Sequence, residues 1–284
     1  MFLSPLKTGL CWLLTWLACL PLMAFAAPVA GVTPFRIGVA PHSSARVILE
    51  MYQPLREFLG EALQQPVEIV TAPDFTEYAR RAVAQQYDIA ITTGHQARLL
   101  ETDARYLPLL TYQADFKSVV VVEAGSPYRE ARDLAGGTVF GLSPSSLVTL
   151  WGQHWLVRNS VENATLRYVS ASDSVGQLLI KGEGRAGFVS LANFQNLNPA
   201  VRDRLRVLAE SLPMAGRVYV LNSRQAARKE AILAALWRFA ETPGAKQYFA
   251  QHKLGGYRAL GARELVEMEP YANEVRQVLR QPVR

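Results

Sequence analysis

Residues 35–41 read F-R-I-G-V-A-P, residues 67–74 read V-E-I-V-T-A-P-D and residues 87–94 read Y-D-I-A-I-T-T-G. Each stretch is a short apolar run that ends in small or hydroxylic residues, and longer amphipathic segments separate the three. This alternation predicts parallel strands joined by helices. In a parallel sheet the strand ends face a ligand crevice. The sequence therefore predicts an α/β fold with polar residues gathered at one edge.

The segments between these strands carry helix signals. Residues 48–63 place apolar side chains at helical spacing, and Pro54 is expected to kink this helix because it lacks a backbone donor. Ser43 or Ser44 is suited to cap its start. Asp74, with an acidic residue three positions later, resembles a capping box at the start of the next helix.

The first 26 residues have the pattern of a secretory signal. Lys7 is the only charge among them, residues 10–20 are apolar, and A-F-A at residues 24–26 fits the small-x-small cleavage rule. We expect cleavage after this triplet and export to the periplasm. The alternative is an uncleaved anchor, although Pro21 interrupts the run of about 20 apolar residues that a membrane span needs.

The composition excludes several kinds of site. Both cysteines, Cys11 and Cys19, lie in the predicted signal, so the 258 residues that remain have none. Disulfides, thiolate metal sites and cysteine nucleophiles are thereby excluded. The formal net charge falls from +6 to +5 when the signal is removed. The basic residues are scattered along the chain, whereas a nucleic-acid partner would require a basic patch.

No catalytic or metal-binding motif is present. The sequence lacks a P-loop, an H-E-x-x-H and a G-x-S-x-G motif, and its four histidines do not have metal-ligand spacing. Residues 182–187 match G-x-G-x-x-G, but they join a predicted helix to a predicted strand, the reverse of the order in a dinucleotide site. We therefore predict a protein that is not an enzyme and that has no metal or cofactor.

A second block of alternating strands and helices runs from residue 138 to residue 208. Extended segments near residues 111–117 and 210–217 flank this block and predict two hinge-strand crossovers between two lobes. The predicted divisions are a signal peptide (1–26), a discontinuous lobe 1 (27–113 and 214–284) and lobe 2 (114–213). The helical C-terminal part has no sheet of its own and is expected to pack on lobe 1. An exported α/β protein of this organisation suggests a periplasmic binding protein.

Several local phrases and their order support this interpretation. They are G-V-A-P at 38–41, T-A-P-D-F at 71–75, Y-D-I-A at 87–90, S-P-S-S at 143–146, D-R-L-R-V-L-A-E-S at 203–211 and E-T-P-G-A at 241–245. In these phrases the chain resembles the PhnD-like family of phosphate, phosphite and phosphonate periplasmic solute-binding proteins, over residues 35–271. The resemblance implies a type II periplasmic binding protein fold, with a cleft between two α/β lobes.

The resemblance and the strand ends together give eight candidate ligand-binding residues: Ser43, Phe75, Thr92, Thr93, His95, Ser145, Ser146 and Asp173. The family carries S-T-S-G or a similar motif at a strand-to-helix turn, where hydroxyl and backbone N–H groups hold an anion. Ser145 and Ser146 match its first half, whereas Leu147 and Val148 replace the second. Asp173 stands where the family often has a histidine, and a carboxylate facing the pocket would repel a dianion.

Each candidate also has a purely structural interpretation. Ser145, Ser146 and Asp173 are suited to cap helices. Phe75 is suited to core packing, and His95 could be a polar residue of a surface loop.

The predicted function is closure on a small oxyanion similar to phosphonate or phosphate, and its delivery to an ABC importer. Zwitterionic ligands remain open alongside anionic ones. The alternative is a periplasmic accessory protein that reports ligand occupancy to a membrane histidine kinase or cyclase. In either case we expect a monomer whose partners are the ligand and a membrane protein, an ABC permease or a sensor kinase, and not a nucleic acid.

Overall fold

The computed structural model describes residues 33–281. The predicted signal peptide and its cleavage site lie outside the described residues. Among the helices within them, none combines the length and the apolar character needed to cross a membrane.

Eleven strands form two sheets in the described part of the chain. In chain order they are β1 (Phe35–Val39), β2 (Val67–Val70), β3 (Ile89–Thr93), β4 (Leu107–Tyr112), β5 (Ser118–Glu123), β6 (Thr138–Gly141), β7 (Thr165–Tyr168), β8 (Ala186–Ser190), β9 (Leu205–Glu210), β10 (Arg217–Leu221) and β11 (Tyr257–Arg258).

Eleven α-helices lie between and after these strands in residues 33–281. They are α1 (Ala45–Met51), α2 (Gln53–Leu63), α3 (Phe75–Val83), α4 (Gly94–Asp103), α5 (Leu147–Arg158), α6 (Ser172–Ile180), α7 (Leu191–Gln195), α8 (Pro199–Arg202), α9 (Lys229–Glu241), α10 (Pro243–Gln251) and α11 (Glu269–Arg280). Short 3-10 helices occupy Ala131–Leu134, Ser223–Arg228 and Val266–Met268.

The six-stranded sheet has the order β11-β4-β10-β3-β1-β2, and the five-stranded sheet has the order β7-β6-β8-β5-β9. We call the first sheet with its helices lobe 1 and the second with its helices lobe 2. In each lobe one strand runs parallel to two neighbours: β1 to β2 and β3, and β6 to β7 and β8. The predicted α/β architecture with two sheets is confirmed.

Two chain crossovers connect the lobes. One leads from β4 to β5 and the other from β9 to β10. Phe116 and Met214 form an antiparallel bridge between the crossovers, in which the Met214 backbone N–H donates to the Phe116 carbonyl at 2.9 Å. The predicted lobe boundaries, 113/114 and 213/214, stay predictions; the strands on either side of each lie in different sheets.

Helix starts near the cleft follow from their capping residues. Ser44, and not Ser43, caps α1 by accepting from the Val47 backbone N–H. The predicted kink at Pro54 takes the form of a break between α1 and α2 at Tyr52. Pro54 lies in the first turn of α2, where backbone N–H groups have no acceptor within the helix, so the missing N–H breaks no helical hydrogen bond. The Asp74 carboxylate caps α3, as predicted.

The C-terminal helices contribute to both lobes. Ile232 and Phe239 of α9, with Phe249 of α10, are buried in the core of lobe 1. Helix α11 packs on α3 and α4 of lobe 1, and it also contacts α5 of lobe 2. There the Tyr271 ring stacks on the His154 ring with centroids 5.0 Å apart. The expectation that the whole C-terminal part packs on lobe 1 is therefore incomplete.

Candidate functional site

A cavity of ≈ 230 Å³ lies between the two lobes. Lobe 1 lines it with the ends of β1, β3, β4 and β10 and with the segment that follows α10. Lobe 2 lines it with the start of α5 and with residues that follow β8, and the crossover at residues 114–116 closes one side. Ligand sites of this class of sheet lie outside the strand ends, as here.

The lobe 2 wall is built around the start of α5. Ser146 caps this 12-residue helix: its hydroxyl accepts from the Thr149 backbone N–H at 3.4 Å and donates to the Thr149 Oγ1 at 2.7 Å. Ser146, Leu147 and Val148 all line the cavity. Because the first N–H groups of a helix have no helical partner, this end presents free donors and the positive end of the helix dipole.

The lobe 1 wall carries a buried cation. Arg217 begins β10 and lines the cavity, and its Nη1 is buried without a hydrogen-bond partner. Burial lowers the pKa of this guanidinium, but the neighbouring tyrosines Tyr52, Tyr112, Tyr248 and Tyr219 raise it, and the net shift is upward. Arg217 is therefore charged near pH 7.

Arg217 has no carboxylate partner among residues 33–281, where none of the ion pairs includes it. Asp115 and Lys253 line the same cavity, but both side chains are exposed at its margin. A buried cation without a counter-ion is costly unless something else neutralises it.

Two histidines beside Arg217 do not add to its charge. The His42 Nδ1 donates to the Ala40 carbonyl at 2.9 Å, which leaves Nε2 as a buried acceptor without a partner. Burial and the adjacent Arg217 lower the pKa of His42 well below its usual range, and the same two causes lower the pKa of His252. Both imidazoles are therefore neutral near pH 7.

Four of the eight predicted ligand residues line the cavity: Phe75, Thr92, Thr93 and Ser146. All four are buried, and they come from both lobes. The hydroxyl of Thr92 donates to the Gln96 Oε1 at 2.9 Å. These placements are compatible with ligand contact, and the assignments stay predictions.

Two further predicted residues meet each other across the lobes, behind the cavity wall. The His95 Nε2 donates to the Ser145 carbonyl at 3.0 Å, and the Thr93 hydroxyl donates to the His95 Nδ1 at 3.1 Å. The Ser145 hydroxyl lies 2.8 Å from the Thr76 hydroxyl. Burial lowers the pKa of His95 to about 4. His95 is thus a neutral, buried hydrogen-bond donor between the lobes.

The last two predicted residues lie away from the cavity. Asp173 is exposed in the first turn of α6, where a carboxylate is favoured by the helix dipole. Ser43 precedes the α1 cap and does not line the cavity.

A second link between the lobes involves Asn193, which sequence reasoning did not identify. Its Nδ2 donates to the His42 carbonyl at 3.2 Å and to the Ser172 hydroxyl at 3.0 Å. With the bonds to Ser145, this contact holds the two walls together on either side of the cavity.

Arg217, His252 and Lys253 were also missed. Arg217 opens the otherwise apolar strand R-V-Y-V-L, and a single charge at a strand start was a signal that could have been used. The pairing of β10 with β3 and β4, which sets Arg217 beside the end of β3, is not visible in the sequence. Within residues 33–281 no group of three or more potential ligands is arranged to hold a metal ion.

Comparison with known families gives a match over most of the chain. The family model described as ABC transporter, phosphonate, periplasmic substrate-binding protein matches residues 37–265. A search of curated protein sequences found no significant match.

Solved structures share the fold at low sequence identity. PhnD1 from Prochlorococcus marinus in complex with methylphosphonate has a TM-score of 0.76 and 13% identity, covering 86% of this chain and 98% of its own. XAC2383 from Xanthomonas citri, bound to chloride, has a TM-score of 0.72 and 20% identity, covering 86% and 99%. A phosphonate-transporter binding component from Pseudomonas aeruginosa has a TM-score of 0.68 and 13% identity, covering 88% and 90%. The predicted two-lobe periplasmic binding protein fold is confirmed.

Proposed function

Because this chain belongs to the family of periplasmic substrate-binding proteins of phosphonate ABC transporters, we propose that it binds a small anion in the interlobe cleft and delivers it to an ABC importer. One observation carries the proposal: Arg217, whose buried Nη1 has no hydrogen-bond partner, lines the same cavity as the start of α5. An anion between them would neutralise the guanidinium and accept from the free N–H groups of the helix.

The same arrangement supports a closing mechanism. Arg217 belongs to lobe 1 and the start of α5 to lobe 2, so an anion that contacts both favours the conformation in which the lobes meet. A ligand shifts a two-state equilibrium by its differential affinity for the two states. Closure about two crossovers is a known way for such proteins to enclose a ligand. The closed surface would then be the form that the membrane permease recognises.

In this proposal the candidate residues divide by role. Phe75, Thr92, Thr93 and Ser146 form the cavity wall around the ligand, which their position supports. Ser145 and His95 act on closure, because each bonds across the lobes. Asp173 and Ser43, which lie outside the cavity, have no ligand contact in this proposal.

The binding step is tested by a thermal-shift screen of the protein purified from the periplasm. The panel contains phosphonates, phosphite, phosphate, sulfonates, carboxylates, amino acids and organic cations. We expect one or more anions to raise the melting temperature by mass action and the cations to leave it unchanged. A panel in which only cations or neutral solutes raise the melting temperature would overturn the proposal.

The delivery step is tested by uptake. Cells that lack the gene are supplied with the labelled anion found in the screen, and they are complemented with the natural protein or with Arg217→Met. We expect uptake with the natural protein alone. If binding is intact but uptake does not depend on the gene, the importer role is wrong, and the sensory alternative is then tested by kinase or cyclase output.

A further inference from the structure

The cleft holds little positive charge for a dianion. Arg217 is its one buried cation among the described residues, since His42 and His252 are neutral near pH 7 and Lys253 is exposed. Asp115, also at the margin, is exposed and acidic. Tyr112 also lines the cavity, and burial raises the pKa of its phenol well above the usual range, so it is neutral too. A single buried guanidinium balances a single negative charge.

Three hydroxyl groups of the cavity are already used as donors, whereas that of Ser190 only accepts, from the Asn193 backbone N–H. Ser146 donates to the Thr149 hydroxyl, Thr92 to the Gln96 amide oxygen and Thr93 to the His95 ring. Each hydroxyl has only one hydrogen to donate. A ligand therefore finds as free donors the guanidinium of Arg217, the first backbone N–H groups of α5, the Ser190 hydroxyl and one ring N–H of His252. Doubly ionised oxyanions require many donors to offset their desolvation.

One residue of the cavity wall, His42, also has an unused acceptor. The His42 Nδ1 donates to a backbone carbonyl, so the buried, unpartnered Nε2 presents a lone pair beside Arg217. A lone pair repels an ionised oxygen but accepts from a protonated one. This atom therefore disfavours a second negative charge on the ligand.

Much of the cavity wall is apolar. Phe75, Leu147 and Val148 line it with other aliphatic side chains, and none of them offers a side-chain hydrogen bond. The volume of ≈ 230 Å³ corresponds to about eight waters at about 30 Å³ each. A bare tetrahedral oxyanion has only five non-hydrogen atoms and no apolar surface, so it leaves part of this wall uncovered.

From these observations we infer that the cleft selects an organic anion with one negative charge and a short apolar substituent, over a doubly charged phosphonate or phosphate. This inference rests on the proposed function and specifies its ligand class. Arg217 recognises the charge, and Leu147, Val148 and Phe75 cover the substituent.

Alkylsulfonates and alkylphosphonates of equal chain length form the matched test pair. The head groups have the same shape, but a sulfonate carries one charge throughout, whereas a phosphonate takes a second as pH rises. Binding is measured by calorimetry with the whole protein at pH 6.5 and pH 9. The pKa values of His42, His252 and His95 are all lowered from the ordinary value, which favours their neutral forms across this range.

We expect the affinity for the phosphonate to fall by about tenfold from pH 6.5 to pH 9. The reason is that the fraction present as the monoanion falls tenfold with each pH unit above the second pKa of the phosphonate. The sulfonate should change by less than about threefold, and a propyl or butyl chain should bind more tightly than methyl because each buried CH₂ adds favourable transfer free energy. A phosphonate that binds at pH 9 at least as tightly as the sulfonate would overturn the inference. Failure of every anion at both pH values would instead overturn the proposed function.

A variant pair tests the wall itself. Val148→Thr adds one hydroxyl donor at nearly the same shape inside the cavity. The control is Val157→Thr on the same helix, whose side chain is 78% exposed and away from the cavity. We expect Val148→Thr to reduce the preference for the sulfonate at pH 9 by about tenfold, the effect of one hydrogen bond to a charged group, and Val157→Thr to leave it unchanged. If both variants changed the preference equally, or if neither changed it, the assignment of Val148 to the ligand-contacting wall would be wrong.

Discussion

The two walls of the cleft differ in what they offer an anion. The lobe 1 wall provides a full charge on Arg217, held among buried tyrosine rings. The lobe 2 wall provides the start of α5 and the apolar side chains of Leu147 and Val148. Neither wall is a complete site. The lobe 1 wall supplies the cation, whereas the lobe 2 wall supplies the partial positive charge of a helix end and an apolar surface.

This division explains why closure and binding are expected to be coupled. A full charge attracts an anion over a longer range than a helix end, whose effect falls off within the first turn. The ligand would thus meet Arg217 first and reach α5 only when the lobes approach. The contacts of Ser145 and Asn193 join the lobes within the protein itself. In the proposed mechanism they would add to the stability of the closed state.

The sharpest test of the difference removes the charge from lobe 1. Arg217→Met keeps the aliphatic stem and deletes the guanidinium. Removing one partner of a buried charge pair costs about 2–5 kcal/mol, so we expect affinity to fall by roughly a thousandfold in calorimetry. Because the guanidinium has no hydrogen-bond or ion-pair partner among residues 33–281, the free variant should melt at the same temperature or higher.

Lys253→Met is the matched control, because it removes an exposed cation from the margin of the same cavity. We expect an affinity change of less than about fivefold, as for other screened surface charges. If Arg217→Met and Lys253→Met lowered the affinity equally, the lobe 1 wall would act only through its overall charge.

The next test concerns the bond between the lobes at His95. Its pKa is about 4 in the folded protein and about 6.5 when unfolded. Between pH 4 and pH 6.5 His95 is protonated in the unfolded chain, whereas the buried ring of the folded protein stays neutral. The free energy of unfolding is therefore unaffected above pH 6.5 and falls by about 3 kcal/mol as pH drops to 4, which chemical denaturation at a series of pH values measures.

His95→Gln isolates this contribution, because an amide can still donate to the Ser145 carbonyl but does not titrate. His42 and His252 also have lowered pKa values and remain in both proteins. We expect the variant to lose less stability than the natural protein between pH 6.5 and pH 4. Parallel curves for the two proteins would mean that His95 is not buried in solution.

A smaller effect is expected for the hydroxyl pair that links the lobes. Thr76 and Ser145 lie 2.8 Å apart at their hydroxyl oxygens. A double-mutant cycle of Thr76→Val and Ser145→Ala should give a coupling free energy of about 1 kcal/mol in the melting of the ligand-bound protein. Additive effects of the two substitutions would indicate that this contact does not form in solution.

The smallest effect is expected at Asp173, an exposed side chain in the first turn of α6. Asp173→Asn should change ligand affinity by less than about twofold and lower the free energy of unfolding by about 0.3–1 kcal/mol through the helix dipole. Calorimetry and chemical denaturation measure the two quantities. A tenfold change in affinity would return Asp173 to the binding site, where sequence reasoning had placed it.

Local patterns predicted much of the fold because they act over a few residues. The strands predicted within residues 35–41, 67–74 and 87–94 are observed at Phe35–Val39, Val67–Val70 and Ile89–Thr93. Asp74 caps its helix as expected, since the cap and its N–H partners are two and three residues apart. Helix α11 was placed less well, because its contact with α5 depends on how two distant segments meet.

In the candidate site, too, local patterns were predictable from the sequence and long-range pairing was not. Thr92, Thr93 and Ser146, which line the cavity, were predicted because they lie at strand ends or at the start of a helix, which sequence periodicity locates. Arg217 was missed because its place beside β3 depends on the antiparallel pairing of β10 with a strand more than a hundred residues earlier.

The sequence alone determined the order of strands and helices, the polar strand ends and the absence of cysteine chemistry after residue 26. Those features depend on local periodicity and on composition. Only the tertiary structure decided which polar groups face the cavity and which are already bonded to one another, because burial and hydrogen-bond partners arise from long-range pairing. That distinction separates His95 and Ser145, which bond to each other across the lobes, from Thr92, Thr93 and Ser146, which line the cavity, and it places Arg217 in the cavity wall.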